Sequence, residues 1–136
     1  MLIDTNILLS SVLMQNDYQN SIKLIETIRE VNFKAYVSSF ALYSICIELH
    51  KRNETETMKD FFKRFDTYYN FKIYQTNNED KIAISALKLN LDFDDKLHYY
   101  IAKKKNLTLV SYDTHFDKTD LKRLTPKQAL AELNLA

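Results

Sequence analysis

The sequence predicts an α/β fold: a three-layer sandwich with a mainly parallel central sheet of four to five strands flanked by helices. Three observations carry this. Short apolar runs alternate with longer amphipathic stretches along the chain, the pattern of strands and crossover helices around a parallel sheet. Right-handed crossovers bring the C-terminal ends of such strands to one edge. Two of the runs, Met1-Leu2-Ile3-Asp4 and Leu107-Thr108-Leu109-Val110-Ser111-Tyr112-Asp113, pass straight into an aspartate, so both acids belong on that edge. With 136 residues, 46% of them hydrophobic, the chain reads as one domain, 1–136, with a sizeable core.

The elements follow in order. Residues 1–4 form a first strand, and 5–14 a helix that Asp4 or Thr5 caps. Tyr18 to Val31 is amphipathic, with Ile22, Ile25 and Ile28 on related turns. Lys34 to Ser38 is a second strand, after which Ser38 or Ser39 caps a helix to about Arg52. Residues 54–69 form a helix carrying Met58, Phe61, Phe62 and Phe65. Phe71 to Tyr74 is a third strand; Thr76 then caps a helix to about Asn90, with Glu79 closing a capping box. A helix starting at Asp92, Phe93 or Asp94 runs to about Lys105, and Leu107 to Ser111 is the fourth strand. The tail, with Pro126 in the first turn of a helix over 125–133, reads as peripheral.

Composition removes several classes of function. The chain has no glycine, so the glycine-rich phosphate loops of P-loop and dinucleotide-binding proteins are excluded. Helix exits must use other residues, and Asn16, Asn32, Asn53, Asn70, Asn90 and Asn106 stand at suitable places. The single cysteine, Cys46, excludes an internal disulfide and multi-thiolate zinc sites. No HExxH pair and no nucleophile elbow is present. No stretch is long or apolar enough to span a membrane, and no export signal is visible, so a soluble, cytoplasmic protein is expected. The net charge is +1, from 19 basic and 18 acidic residues, so nucleic-acid affinity must come from local patches. Lys51-Arg52, Lys103-Lys104-Lys105 and the stretch from Lys118 to Lys127 supply candidates.

The acids form the candidate site. Asp4 and Asp113 follow strands, and Asp92-Phe93-Asp94-Asp95 opens a helix. Each acid singly suits a cap or an Asx turn. One cap is needed before the late helix, so three acids there are an excess. Carboxylates gathered without cationic partners are costly unless a hard divalent ion, Mg²⁺ or Mn²⁺, sits among them. Ser44 and Glu48 share a face of an otherwise apolar helix; Glu48 either joins this pocket or pairs with Lys51 or Arg52. His98 reads as helix surface and core, whereas His115, just beyond Asp113, belongs near the rim.

Three segments resemble the PIN domain, the metal-dependent nuclease fold of VapC-type toxins. They are Leu2-Ile3-Asp4-Thr5-Asn6-Ile7-Leu8-Leu9, Asp94-Asp95-Lys96-Leu97-His98-Tyr99-Tyr100-Ile101-Ala102 and Leu109-Val110-Ser111-Tyr112-Asp113-Thr114-His115-Phe116. By position, the resemblance makes Asp4, Asp95 and Asp113 the first, third and fourth family acids, with Asn6 and Ser111 as their polar neighbours. The second acid is displaced: Ser39 to Ser44 contains none, and Glu48, one turn later, is the candidate. His115 stands where an acidic or amide residue is common. The resemblance implies Mg²⁺ or Mn²⁺ bound by Asp4, Asp95, Asp113 and Glu48, hydrolysis of RNA phosphodiesters, frequent homodimers and often an inhibitory antitoxin. The displaced acid motivates an alternative, a catalytically degenerate PIN module that binds RNA or a protein partner. A phospho-receiver domain fits less well, since it expects an acidic pair after the first strand and a lysine after the last; Ser111 and Tyr112 stand there.

Overall fold

The computed structural model describes residues 1–135, with side chains through residue 134. Five strands, β1 (Leu2–Ile3), β2 (Tyr36–Ser38), β3 (Lys72–Tyr74), β4 (Leu109–Val110) and β5 (Arg123–Leu124), form one sheet in the order β3-β2-β1-β4-β5. Every pairing is parallel. The helices are α1 (Thr5–Leu13), α2 (Tyr18–Glu30), α3 (Ser39–Lys51), α4 (Thr55–Thr67), α5 (Asn78–Ser85), α6 (Phe93–Lys105) and α7 (Pro126–Leu135), with a short 3-10 turn at Thr114–Lys118. Among the described residues no helix is long and apolar enough to cross a membrane.

Strand alternation divides the core in two. In the β1–β4 register Leu2 pairs with Leu109 and Ile3 with Val110, and successive side chains point to opposite faces. Ile3 and Val110 join the core that includes Leu24 and Ile28 of α2, Ile45 of α3 and Phe61 of α4. Leu2 and Leu109 join Ile84 of α5, Leu97 and Ile101 of α6, and Phe116 of the 3-10 turn. Both faces of the sheet are thus covered, which explains why its central strands are apolar without alternation.

The tail is not peripheral. Arg123–Leu124 adds a fifth parallel strand beside β4, and α7 packs on α2 through Ala129, Leu130 and Leu133, all buried in the first core. Thr125 and Gln128 start α7 with a reciprocal cap: the Thr125 N–H donates to Gln128 Oε1 at 2.9 Å, and the Gln128 N–H to Thr125 Oγ1 at 3.2 Å. The two-residue strand is too short for a periodicity argument, and this hid it.

α5 is shorter than the sequence suggests and is capped one residue later, by Asn77 and Asp80 in place of Thr76 and Glu79. After Ser85 the chain leaves the helix. Leu87, Leu89 and Leu91 are half-buried, while Lys88 and Asn90 are exposed, a period of two that an extended segment satisfies and a helix does not. The shifted cap points Asp80 inward. Its buried carboxylate accepts from Tyr74 Oη at 3.1 Å, Tyr100 Oη at 2.8 Å, Lys104 Nζ at 2.8 Å and the Asn77 N–H at 3.0 Å.

Glycine's place at helix exits is taken largely by asparagine. Asn16, Asn32, Asn53 and Asn106 all have φ between 53° and 56°, and Met14 joins them at 54°. Asparagine visits this left-handed region more readily than other non-glycine residues. Asn70 and Asn90 do not adopt it.

The Lys104 ammonium beside Asp80 holds its carboxyl well below the usual carboxylate range, helped by the Asn77 N–H and the two phenols. A depressed acid contributes stability that is present above its unfolded pKa of about 4 and lost as pH falls through that value towards the folded one. Asp80→Asn should therefore lower unfolding free energy at pH 7 by roughly 1.5–3 kcal/mol. The difference from wild type should shrink below about pH 4, as read by urea titrations across pH.

Candidate functional site

In an open parallel sheet the ligand crevice lies at the carboxyl edge, where the strand order reverses. Here the chain builds β1, β2 and β3 outward on one side and β4 and β5 on the other, so the reversal falls between β1 and β4. Asp4 follows β1, and Ser111, Tyr112 and Asp113 follow β4. The Asp4 N–H donates to Val110 O at 3.0 Å, which continues the strand pairing up to the first acid.

Ser111 joins the two strand ends. Its buried hydroxyl donates to Asp4 Oδ2 at 2.6 Å and accepts from Asn6 Nδ2 at 3.2 Å and from the Asp113 N–H at 3.0 Å. Asn6 Oδ1 in turn accepts from the Tyr112 N–H at 3.3 Å. Asp4 also serves as the α1 cap, with Oδ1 accepting from the Thr5 N–H at 2.7 Å. Asp113 caps the 3-10 turn by accepting from the His115 N–H at 2.8 Å. The capping role expected of each acid is real and coexists with its place at the cleft.

A cleft of about 470 Å³ opens at this point, and its walls include Asp4, Glu48, Asp94, Asp95, His98 and Asp113. All four candidate acids therefore line one space, yet not equally. Ligand atoms of Asp95, Asp113 and His115 lie within 4.8 Å of one another; Asp4 and Glu48 stand outside that trio. Glu48 reaches the cleft from α3, but its carboxylate is 3.8 Å from Lys51 Nζ and its side chain is 40% exposed. Glu48 thus faces the cleft while sharing a surface ion pair, a weak tether in solvent.

The electrostatics mark the cleft as a place for a cation. Burial pushes the Asp95 carboxyl above the usual range, and the charges of Asp113, Asp4 and Asp92 push it further, with His115 opposing. Asp92 occupies the cap position of α6 but makes no side-chain cap hydrogen bond, so its charge adds to the field. No lysine or arginine forms a salt bridge with Asp4, Asp94, Asp95 or Asp113 among the described residues. Oxygen-rich, unneutralised and partly buried, the donor set fits a hard divalent ion such as Mg²⁺ or Mn²⁺.

His98 falls on the core side of its helix: it is buried and packs behind the acids, with Nδ1 3.8 Å from Asp4 Oδ1. Its Nδ1–H donates to Asp94 O at 3.0 Å, because a carbonyl can only accept. Nε2 then accepts from Ser38 Oγ at 3.1 Å, and Ser38 Oγ accepts from the Ala41 N–H at 3.0 Å. The phenols of Tyr99, Tyr100 and Tyr112 are likewise engaged, with Asp120, Asp80 and the Ser21–Asp17 stretch respectively. Of the basic runs, Lys103 pairs with Asp120, Lys122 with Glu132 and Arg123 with Asp117. Lys118 lines a small adjoining cleft with Asp95 and His115.

With the fold and its acidic edge in view, the comparisons agree with one another. The PIN domain family model matches residues 1–122, and the chain belongs to the PIN domain family. Solved structures of similar fold include VapBC2 from Rickettsia felis bound to a DNA fragment from its promoter. There the TM-score is 0.72 and the identity 18%, over 91% of this chain and 96% of that one. A toxin–antitoxin complex from Klebsiella pneumoniae gives 0.68 at 18% identity, covering 92% and 96%. FitAcB from Neisseria gonorrhoeae gives 0.69 at 16% identity, covering 93% and 97%. At such identities the likeness is one of fold. No curated protein matches the chain significantly by sequence.

Two substitutions test the electrostatic picture without any assay of function. A carboxyl raised in the folded state loses stabilising value as pH rises, so ionised Asp95 is a net cost to the metal-free fold near pH 7. Asp95→Asn should raise the melting temperature in chelator. Ser111→Ala removes three hydrogen bonds from a buried position and should cost about 1–3 kcal/mol in denaturant titrations.

Proposed function

We propose that this protein is a divalent-metal-dependent endoribonuclease acting as the toxin of a toxin–antitoxin pair. The observation that carries the reading is the convergence of Asp4, Asp95 and Asp113 from β1, α6 and β4 on one cleft at the strand-order reversal. Asp4, Asp95 and Asp113 would hold Mg²⁺ or Mn²⁺, with Glu48 as the fourth acid. Such an ion supplies a water of lowered pKa and stabilises charge developing on the leaving oxygen.

The remaining work falls to the chain itself. Ser111 orients the Asp4 carboxylate directly and holds the backbone of Asp113, while Asn6 fixes the Ser111 hydroxyl, the outer-shell role that fixes how a carboxylate presents its lone pairs. His98 ties the first turn of α6, through Asp94 O, to Ser38 at the end of β2, which sets where Asp95 stands. Lys118, beside Asp95 and His115, is placed to neutralise a substrate phosphate, and binding through such contacts weakens with salt.

The partners follow the same reading. The neighbours from Rickettsia felis and Klebsiella pneumoniae are toxin–antitoxin complexes, which supports an antitoxin for this chain. Tyr43 and Ile47, 72% and 54% exposed on α3, support a homodimer surface, since exposed apolar patches mark association sites. One observation favours a second reading, a degenerate module that binds RNA or protein without cutting: Glu48 is diverted towards Lys51.

The deciding experiment is cleavage of a mixed single-stranded RNA pool with Mg²⁺ or Mn²⁺. Asp95→Asn should reduce the rate by more than about a hundredfold and Ser111→Ala by roughly 10–100-fold. Equal cleavage by wild type and Asp95→Asn would sink the reading. Metal and RNA binding without cleavage would move the assignment to the degenerate module.

A further inference from the structure

We propose that His115 is a nitrogen ligand of the divalent ion and biases the site towards Mn²⁺ over Mg²⁺. The inference rests on the metal-binding reading above and concerns the one residue of the trio that is not a carboxylate.

The geometry suits a shared ion. His115 Nδ1 lies 3.0 Å from Asp113 Oδ1 and 3.7 Å from Asp95 Oδ2. Donors about 2.1 Å from one octahedral ion stand roughly 3 Å apart when adjacent and roughly 4 Å apart when opposite. The first spacing matches adjacent donors and the second lies between the two values; with all three ligand atoms within 4.8 Å of one another, rotation of the side chains would bring them round one ion. The backbone that carries the ring is also held in place. The His115 N–H donates to Asp113 Oδ1 at 2.8 Å, and the next residue, Phe116, is fully buried in the second core. His115 itself is 62% exposed and lines the small adjoining cleft with Asp95 and Lys118, so it reaches the acids from a turn anchored by its neighbour.

His115 is also the imidazole with a nitrogen to offer. Both ring nitrogens of His98 are engaged, one with Asp94 O and one with Ser38 Oγ. His50 is exposed in the last turn of α3 and has no ligand atom grouped with those of Asp95 and Asp113. Asp113, the group closest to His115 Nδ1, would itself bind the ion, so coordination replaces that contact without stranding a buried partner.

Donor chemistry gives the consequence. Mg²⁺ takes oxygen ligands and keeps its waters, whereas Mn²⁺, though also suited to carboxylates, begins the first-row series along which affinity for nitrogen donors rises, so an imidazole costs Mg²⁺ more than it costs Mn²⁺. Two carboxylates and an imidazole therefore discriminate where carboxylates and an amide would not.

The test uses the whole chain, with Mn²⁺ and Mg²⁺ as the probes. Mn²⁺ binding is followed by electron paramagnetic resonance of the free ion, Mg²⁺ by competition, and ligand nitrogen by pulsed measurement of hyperfine coupling at bound Mn²⁺. Wild type should show a nitrogen coupling that is absent from His115→Asn. The Mn²⁺/Mg²⁺ affinity ratio should fall at least about threefold in the variant, mainly through loss of Mn²⁺ affinity. Bound Mn²⁺ without nitrogen coupling, and with an unchanged ratio, would overturn this inference while leaving the metal site itself standing. No divalent binding at all would overturn both. Nitrogen-coupled Mn²⁺ in a protein that cuts no RNA would uphold the ligand and remove the nuclease.

Discussion

The parallel pairing of β1 with β4 is the contact on which the cleft depends. These strands come from opposite ends of the chain, and each contributes only two residues to the sheet. Their register sets Ile3 beside Val110, so the residues that follow, Asp4 and Ser111, meet just beyond the last ladder bond. The Ser111 hydroxyl then connects Asp4, Asn6 and the backbone of Asp113. A one-residue slip would turn Ile3 and Val110 away from the first core and carry the acids out of alignment. Burial of these strands on both faces is what makes such a slip expensive.

Two groups of carboxylates show opposite solutions to the same problem. Asp80 is buried and surrounded by donors, with an ammonium, two phenols and an amide around it; its charge is stabilised, and it ties α5 and β3 to α6. Asp95 is partly buried and surrounded by other acids; its charge is destabilised in the protein alone. A fold tolerates the second arrangement only by drawing stability from elsewhere. Here two cores, one on each side of the sheet, supply it. The contrast separates a carboxylate that braces the fold from one whose charge the fold leaves unpaired.

The absence of glycine was legible in its consequences. Four of six asparagines expected at helix exits take the left-handed conformation, because their side chains offset some of the cost of positive φ. The helix starts at Thr5, Ser39 and Tyr18 and the β1, β2, β3 and β4 strands also agree closely with the reading from periodicity. The misses have separate physical causes. β5 is two residues long, too short to show a period. The cap of α5 differs by one residue because Thr76 and Asn77 are both good caps, and only the contacts of Asp80 with Tyr100 and Lys104 choose between them. The tail looked peripheral because α7 owes its burial to α2, more than a hundred residues earlier, and local sequence carries no trace of that contact.

What the sequence determined by itself was the type of most elements and which acids stand at strand and helix ends. Both are local properties: hydrophobic period, capping residues, and aspartates at strand ends. The tertiary structure decided how the acids divide the work. It placed Asp95 and Asp113 in contact range of His115, set Asp4 behind the Ser111 hydroxyl, left Glu48 between the cleft and Lys51, and buried His98 as a brace with both nitrogens engaged. These distinctions are distances and donor directions between segments far apart in the chain. They follow from strand register and helix packing, which no single stretch of sequence specifies.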